Sequence, residues 1–290
     1  MFTEHNAIKR FLKEVLLEDS IQGIDVSKHQ GDVDFQATMS VGMKFAFVKC
    51  SEGVGYTDPC FHENWRKLVE LDGEYIRGAY HFARPDTGGG AQDGEREARY
   101  FVEVLKKAGS CAEGSLPPAL DFEKYSDFGP AQNVPWVHSF VRVIENELGR
   151  KPIIYTGRNI WKYELGDTDA FIDCPLWQVD YTGKREVPRP TPWSTWTFWQ
   201  WSGGRSKSFD YRYWYKKNGK MPGIKAGFCD VNRFNGTIED LLRMAMLPPL
   251  DEFPIEETQA SGTLFMEAQS NLRTLKERFI QLIQRPGCDG

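Results

Sequence analysis

PPALDFE, residues Pro117–Glu123, is a short apolar run that ends in two acids. Side chains two apart on a strand share a face, so Asp121 and Glu123 point the same way, with Cα atoms roughly 6.5 to 7 Å apart. Runs of the same kind recur on both sides: IQGIDVS from Ile21, KFAFVKCSEG from Lys44, YIRGAYHFARP from Tyr75, KPIIYTG from Lys151, PLWQVDY from Pro175, TWTFWQWS from Thr195 and GIKAGFCDVN from Gly223. Helical patterns sit between several of them, around Phe61–Leu71, Gly94–Ala108 and Val134–Leu148. Strands interleaved with helices predict an α/β fold, a (β/α) barrel of about eight strands. The last strands lack long intervening helices, so the barrel is expected to be irregular, with antiparallel pairing near its end.

The flanks read differently. Residues 1–20 carry Ile8, Phe11, Leu12, Val15 and Leu16 at amphipathic-helix spacing, and form an N-terminal helical extension to a catalytic barrel over residues 21–246. Residues 247–290 open with an acidic, Pro-rich linker. They continue in a C-terminal amphipathic helix, with Phe265, Ala268, Leu272, Leu275, Phe279 and Leu282 in an a/d rhythm. That helix, within residues 263–284, either lies back on the barrel or serves self-association or docking into a larger assembly.

Composition narrows the classes. At 40% hydrophobic residues the chain can fill a core, and a net charge of −5 argues against a nucleic-acid binder. Aromatic content is 13%, much of it between Trp177 and Trp214, which suits either carbohydrate stacking or core packing. Cys50, Cys60, Cys111, Cys174, Cys229 and Cys288 show no CxxC pair and no zinc spacing, so most are expected to be free thiols and no metal site is expected. The N-terminus has no apolar h-region, and no stretch reaches the length of a membrane span, so synthesis in the cytoplasm without a signal peptide is expected.

A DxE pair alone is a weak signal, because acids at strand ends often only cap helices. Its context is stronger. GIDVSKHQG puts Asp25 at the end of the first strand, and FCDVNRFNG puts Asp230 at the end of the last. First and last strands are neighbours in a closed barrel, so Asp25, Asp121, Glu123 and Asp230 are expected at one mouth. Strand ends are where barrel enzymes place catalytic groups. Carboxylates crowded there split roles, one held ionised and another kept protonated as a general acid, which is what glycoside hydrolysis requires.

GIDVSKHQG, FVKCSEGVGYTDPCFHENW, RGAYHFARP, PALDFE, PIIYTG, LWQVDY, FWQWS and CDVNRFNGT, in this order and spacing, resemble glycoside hydrolase family 25, the Chalaropsis-type lysozymes, over about residues 21–240. The resemblance implies a muramidase that cleaves the β-1,4 bond between N-acetylmuramic acid and N-acetylglucosamine in bacterial peptidoglycan, without metal or organic cofactor. By it, Glu123 is the general acid, Asp121 its partner, and Asp25 and Asp230 the remaining acids of the cleft. It implies retention with assistance from the substrate's acetamido group, a nucleophilic Asp121 being the rival mechanism. Tyr56, Tyr80, Phe82, Tyr155, Trp177 and Gln200 are matched as sugar contacts, barrel lining being the other reading of each. His81, whose neighbours alternate faces, is expected to face the helix layer.

The basic, aromatic segment Arg205–Lys225 is expected to rim the cleft and to meet anionic wall polymer or peptide stems. Its alternative is a solvated loop. The flanking helices fit a phage product, either a lysin released through a holin or a lysozyme carried in a virion tail. Two competing readings remain. One is a chitinase-like hydrolase of another N-acetylated polymer. The other is a catalytically silent wall-binding or structural protein on the same fold.

Overall fold

The structure, a computed structural model, describes residues 21–71, 74–85, 89–109, 113–181, 190, 192–204 and 213–247. The N-terminal extension 1–20, residues 205–212 of the basic segment, the tail helix, Cys111 and Cys288 lie outside the described residues. By its internal contacts the chain divides into Met1–Pro249 and Leu250–Gly290, and all the described residues belong to the first unit.

Strands β1 (Gln22–Val26), β2 (Met43–Glu52), β4 (Ile76–Phe82), β5 (Ala119–Asp121), β6 (Ile153–Thr156), β7 (Leu176–Val179), β8 (Phe198–Ser202) and β9 (Asp230–Phe234) close a ring. β3 (Tyr56–Thr57) adds a short hairpin at the end of β2. The pairings from β1 through β2, β4, β5, β6 and β7 to β8 are parallel. β9 is antiparallel to both β8 and β1. The expected α/β barrel is therefore present, and its irregularity is this one reversed strand. One detail is corrected. The last strand does not run from Gly223: the stretch before it is mostly turn, and Asp230 opens the strand instead of ending it. Reversal of β9 brings that opening residue to the mouth where the parallel strands end.

Period-two alternation sorts the strand residues into two cores. Phe45, Phe47, Trp177, Phe198 and Phe234 point inward and plug the barrel. Phe47 stacks on Trp177 at 4.2 Å between ring centroids, and Phe198 lies 5.1 to 5.3 Å from Phe45, Phe47 and Phe234. Such rings fit because Gly23 and Gly78 leave space: a Cβ on Gly78 would stand 2.4 Å from the Phe47 ring. Ile24, Val26, Ala46, Val48, Leu120, Phe122, Ile154, Leu176 and Val231 point outward into a second core under the helices.

Those helices are α1 (Phe35–Met39), α2 (Phe61–Glu70), α3 (Gly90–Lys107), α4 (Pro130–Leu148), α5 (Arg158–Leu165), α6 (Tyr213–Asn218) and α7 (Ile238–Met244). On α3 the residues Gly94, Glu97, Ala98, Phe101, Val102 and Leu105 are buried at the i, i+3, i+4, i+7 spacing of a one-faced helix. α3 crosses α4 closely, for a Cβ on Gly94 would stand 2.1 Å from the Trp136 carbonyl oxygen. Trp136 Nε1 donates to buried Asp93 across the same crossing.

α6 corrects another expectation. Trp214 and Tyr215 do not rim the cleft; both are buried in the outer core, and the Tyr215 hydroxyl bonds the backbone of Cys229. Burying large rings is favourable, and here the Tyr215 ring packs edge-on against Phe228 at 4.9 Å between centroids. Lys216 and Lys217 of the same helix stay exposed. Among the described cysteines, Cys60, Cys174 and Cys229 are free thiols, as expected of most, and Cys50 is buried.

Candidate active site

The mouth where the parallel strands end opens into a cleft of about 310 Å³. All four sequence-selected acids line it. β5 stops at Asp121, but its ladder continues for one residue, with Ala83 N–H donating to the Asp121 carbonyl and Phe122 N–H to the Tyr155 carbonyl. Phe122 turns outward against Trp136, so Glu123 returns to the inner face two positions after Asp121. The segment beyond Glu123 is fastened from below. Buried Glu164 accepts Ser126 N–H, Ser126 Oγ–H and Asn133 Nδ2–H.

Asp25 and Asp230 stand directly opposite one another across the antiparallel β1–β9 pair. Like charges in that position repel. Asp25 Oδ2 accepts from Gln200 Nε2 at 2.7 Å and Asn232 Nδ2 at 2.8 Å, and Asp230 accepts the Gly204 N–H at 2.8 Å. Burial and then the charge of Asp230 push Asp25 up to about 8, against the pull of the two amide donors. Burial also raises Asp230.

Asp121 is raised well above the carboxylate range, first by burial and then by the Glu123 charge, with Lys49 opposing. Its Oδ1 is buried without a hydrogen-bond partner among the described residues. Glu123 is exposed as a whole residue, yet its carboxyl group sits over the cleft, where protein displaces water. Burial raises it, the Tyr155 hydrogen bond lowers it, and Asp230 adds to the rise. Among the described residues no group of three His, Cys, Asp or Glu is arranged to hold a metal ion.

Of the matched contacts, Tyr80, Phe82, Tyr155, Trp177 and Gln200 line the cleft. Trp177 forms its floor, with Nε1 donating to Asn232 at 2.8 Å. Tyr56 is not among the lining residues. The antiparallel β2–β3 hairpin carries it aside, where its ring lies 5.1 Å from Lys28 Nζ. His81 faces the helix layer, bridging Ser51 on β2 and Glu97 on α3 at 2.8 Å each, and is fully buried.

Sequence reasoning missed Lys49 and Tyr181 in the lining and Asn232 beneath it. Parity would have found all three. Lys49 follows inward Phe45 and Phe47, Tyr181 follows Trp177 by four, and Asn232 follows Asp230 by two. Lys49 Nζ is held 2.5 Å from Glu52 Oε2 and 4.6 Å from the Phe82 ring centroid; Glu52 in turn binds Arg84.

Comparison with known proteins adds an independent line. The model of Glycosyl hydrolases family 25 matches residues 24–208. Lysozyme M1 of Streptomyces globisporus is 31% identical over 234 residues, 78% of this chain and 71% of its own. The uncharacterized protein YegX of Escherichia coli K12 is 29% identical over 245 residues, 83% of this chain and 79% of its own. The crystal structure of the bacterial lysozyme from Streptomyces coelicolor superposes with a TM-score of 0.65 at 30% identity, covering 78% of this chain and 97% of that one.

Proposed function

The chain belongs to glycosyl hydrolases family 25, and from that premise we propose that its cleft hydrolyses peptidoglycan at the β-1,4 bond between N-acetylmuramic acid and N-acetylglucosamine, with Glu123 as general acid and Asp121 as its partner. The observation that carries this reading is the buried, unpartnered Oδ1 of Asp121 two residues before a carboxyl group raised by burial. An orphaned buried acceptor is costly unless a ligand supplies its donor. The N–H of a 2-acetamido group is such a donor. With that N–H held by Asp121, the acetamido oxygen attacks the anomeric carbon while Glu123 gives its proton to the leaving glycosidic oxygen. Glu123, now a carboxylate, takes a proton from water as the water oxygen bonds the anomeric carbon and the acetamido oxygen departs. Configuration is retained.

Asp25 and Asp230, sharing charge across β1 and β9, set the field under Glu123. Tyr80 and Phe82 offer ring and hydroxyl edges to the sugars.

The test is digestion of purified peptidoglycan by the native protein, Glu123→Gln and Asp121→Asn, with mass spectrometry of the reducing ends. Native protein yields N-acetylmuramic acid at the reducing end, and Glu123→Gln is slower by about 10²–10⁴-fold. N-acetylglucosamine ends, or equal cleavage by Glu123→Gln, refute the assignment. For its setting we propose a phage product acting on the cell wall, released or carried in a particle. The helical spacing of residues 8–16 and 265–282 supports it. Mass spectrometry of purified particles against the free lysate tests that, and absence of the protein from both refutes it.

A further inference from the structure

Gln200 gathers three of the cleft's polar groups. Its Nε2 donates to Asp25 Oδ2 at 2.7 Å, which turns its Oε1 toward two phenols, and both Tyr155 and Tyr181 donate to that oxygen. Tyr155 Oη lies 2.9 Å from Gln200 Oε1 and 3.3 Å from Glu123 Oε2. A phenol has one hydrogen, so Tyr155 serves one of these acceptors at a time.

We propose that Tyr155 is a positioning residue whose hydroxyl hydrogen changes partner with the charge on Glu123, and that Tyr181 makes the change possible by keeping Gln200 satisfied. The proposal rests on the reading of Glu123 as the proton-transfer group. While Glu123 is neutral, its own O–H donates to Tyr155 Oη and Tyr155 donates to Gln200. Once Glu123 has given up its proton, the Tyr155 hydrogen rotates onto Glu123 Oε2. Gln200 Oε1 then still accepts from Tyr181, so no buried acceptor is stranded in either state.

Only a hydrogen has to move. The Tyr155 ring is buried, packed edge-on against Trp177 at 4.7 Å, and its backbone is paired with Asp121 on β5. A phenol that always donated to Glu123 would hold it ionised and weaken it as an acid. One that reverses supports both the donation and the later recovery of the proton.

The titratable groups that share the cleft with Glu123 are Asp25 on β1, His29 after it, Lys49 on β2, Tyr80 on β4, Asp121 on β5, Tyr155 on β6, Tyr181 beyond β7 and Asp230 on β9. The Tyr155→Phe change leaves the charge of each of the others in place.

The experiment compares native protein, Tyr155→Phe, Tyr181→Phe and the double variant. One readout is the titration of Glu123, followed by NMR with ¹³C-carboxyl-labelled glutamate; Glu123→Gln identifies the resonance. The other is kcat and KM on soluble peptidoglycan fragments. Tyr155→Phe should raise the Glu123 midpoint by about half a pH unit or more and lower kcat about tenfold, with KM little changed. Tyr181→Phe should shift both in the same direction by less, because Gln200 then competes for the Tyr155 hydrogen. The Glu123 midpoint of the double variant should match that of Tyr155→Phe, since the role proposed for Tyr181 is exerted through the Tyr155 hydrogen.

An unmoved midpoint in Tyr155→Phe, additive effects of the two changes, or a raised KM at constant kcat overturns the proposal. Cleavage by Glu123→Gln would instead sink the underlying assignment, a separate outcome that the NMR arm does not share.

Discussion

Asp25→Asn replaces a titratable carboxyl group at the most crowded point of the cleft with a neutral amide of the same shape. Asp25 faces Asp230 across β1 and β9, and its Oδ2 accepts the N–H groups of Gln200 and Asn232. An Asn carbonyl can take both bonds, and its Nδ2 can donate toward Asp230. Burial first, and the Asp230 charge second, hold the folded Asp25 at about 8, whereas an unfolded Asp titrates near 3.8. Between those values the folded chain keeps a proton that the unfolded chain has released. The stability that Asp25 contributes is therefore fully present below about pH 4 and is lost as pH rises toward 8. At about 1.4 kcal/mol per pH unit, the window sets an upper bound of about 6 kcal/mol. Asp230 shares the repulsion and the cleft admits water, so about 3 kcal/mol is the working figure. For a domain of this size that is a gain of about 6–12 °C in Tm. Thermal unfolding of native protein and Asp25→Asn from pH 4 to pH 8 checks it. The curves should nearly meet at pH 4 and part steadily, with the variant higher at pH 8. A gap that does not depend on pH, or a variant less stable at pH 8, would refute the reasoning. The variant should also lose activity, because a site that keeps four carboxyl groups together does so at the expense of stability.

Gly78→Ala should destabilise by about 1–3 kcal/mol in urea unfolding, since the new Cβ would stand 2.4 Å from the Phe47 ring inside a filled barrel; an unchanged midpoint would mean that the aromatic plug yields. Lys49→Met removes the cation that opposes the rise at both Asp121 and Glu123. Both carboxyl groups then hold their protons to higher pH, so both limbs of the pH–rate profile should move up, by roughly half to one unit. A profile that stays in place would show that Lys49 serves only to hold Glu52.

Much of the barrel can be read along the chain because its determinants are local. Alternation in KFAFVKCSEG separates Phe45 and Phe47 from Ala46 and Val48, and the structure sends the first pair inward and the second outward. The α3 spacing marks its buried face in the same way. Strand-end position marked Asp25, Asp121 and Glu123 for the mouth, since a parallel barrel brings all such ends to one side. Asp230 was marked for the right mouth by an incorrect route, because it begins a reversed strand. Period alone does not reveal strand direction: an antiparallel and a parallel strand alternate alike.

The sequence by itself thus determined which residues face in and out, the order of strands and helices, and the acids available to the mouth. Tertiary structure alone decided which of them meet. Closure of β9 against β1 made Asp25 and Asp230 a facing pair. Barrel register brought Gln200 under Tyr155 and Tyr181, residues 45 and 19 positions away in the chain. The β2–β3 hairpin took Tyr56 out of the cleft, and the outer core claimed Trp214 and Tyr215. Parity and helical period are properties of neighbouring residues. Contacts across a barrel depend on direction, register and closure, which are settled only when distant segments compete to bury the same surface.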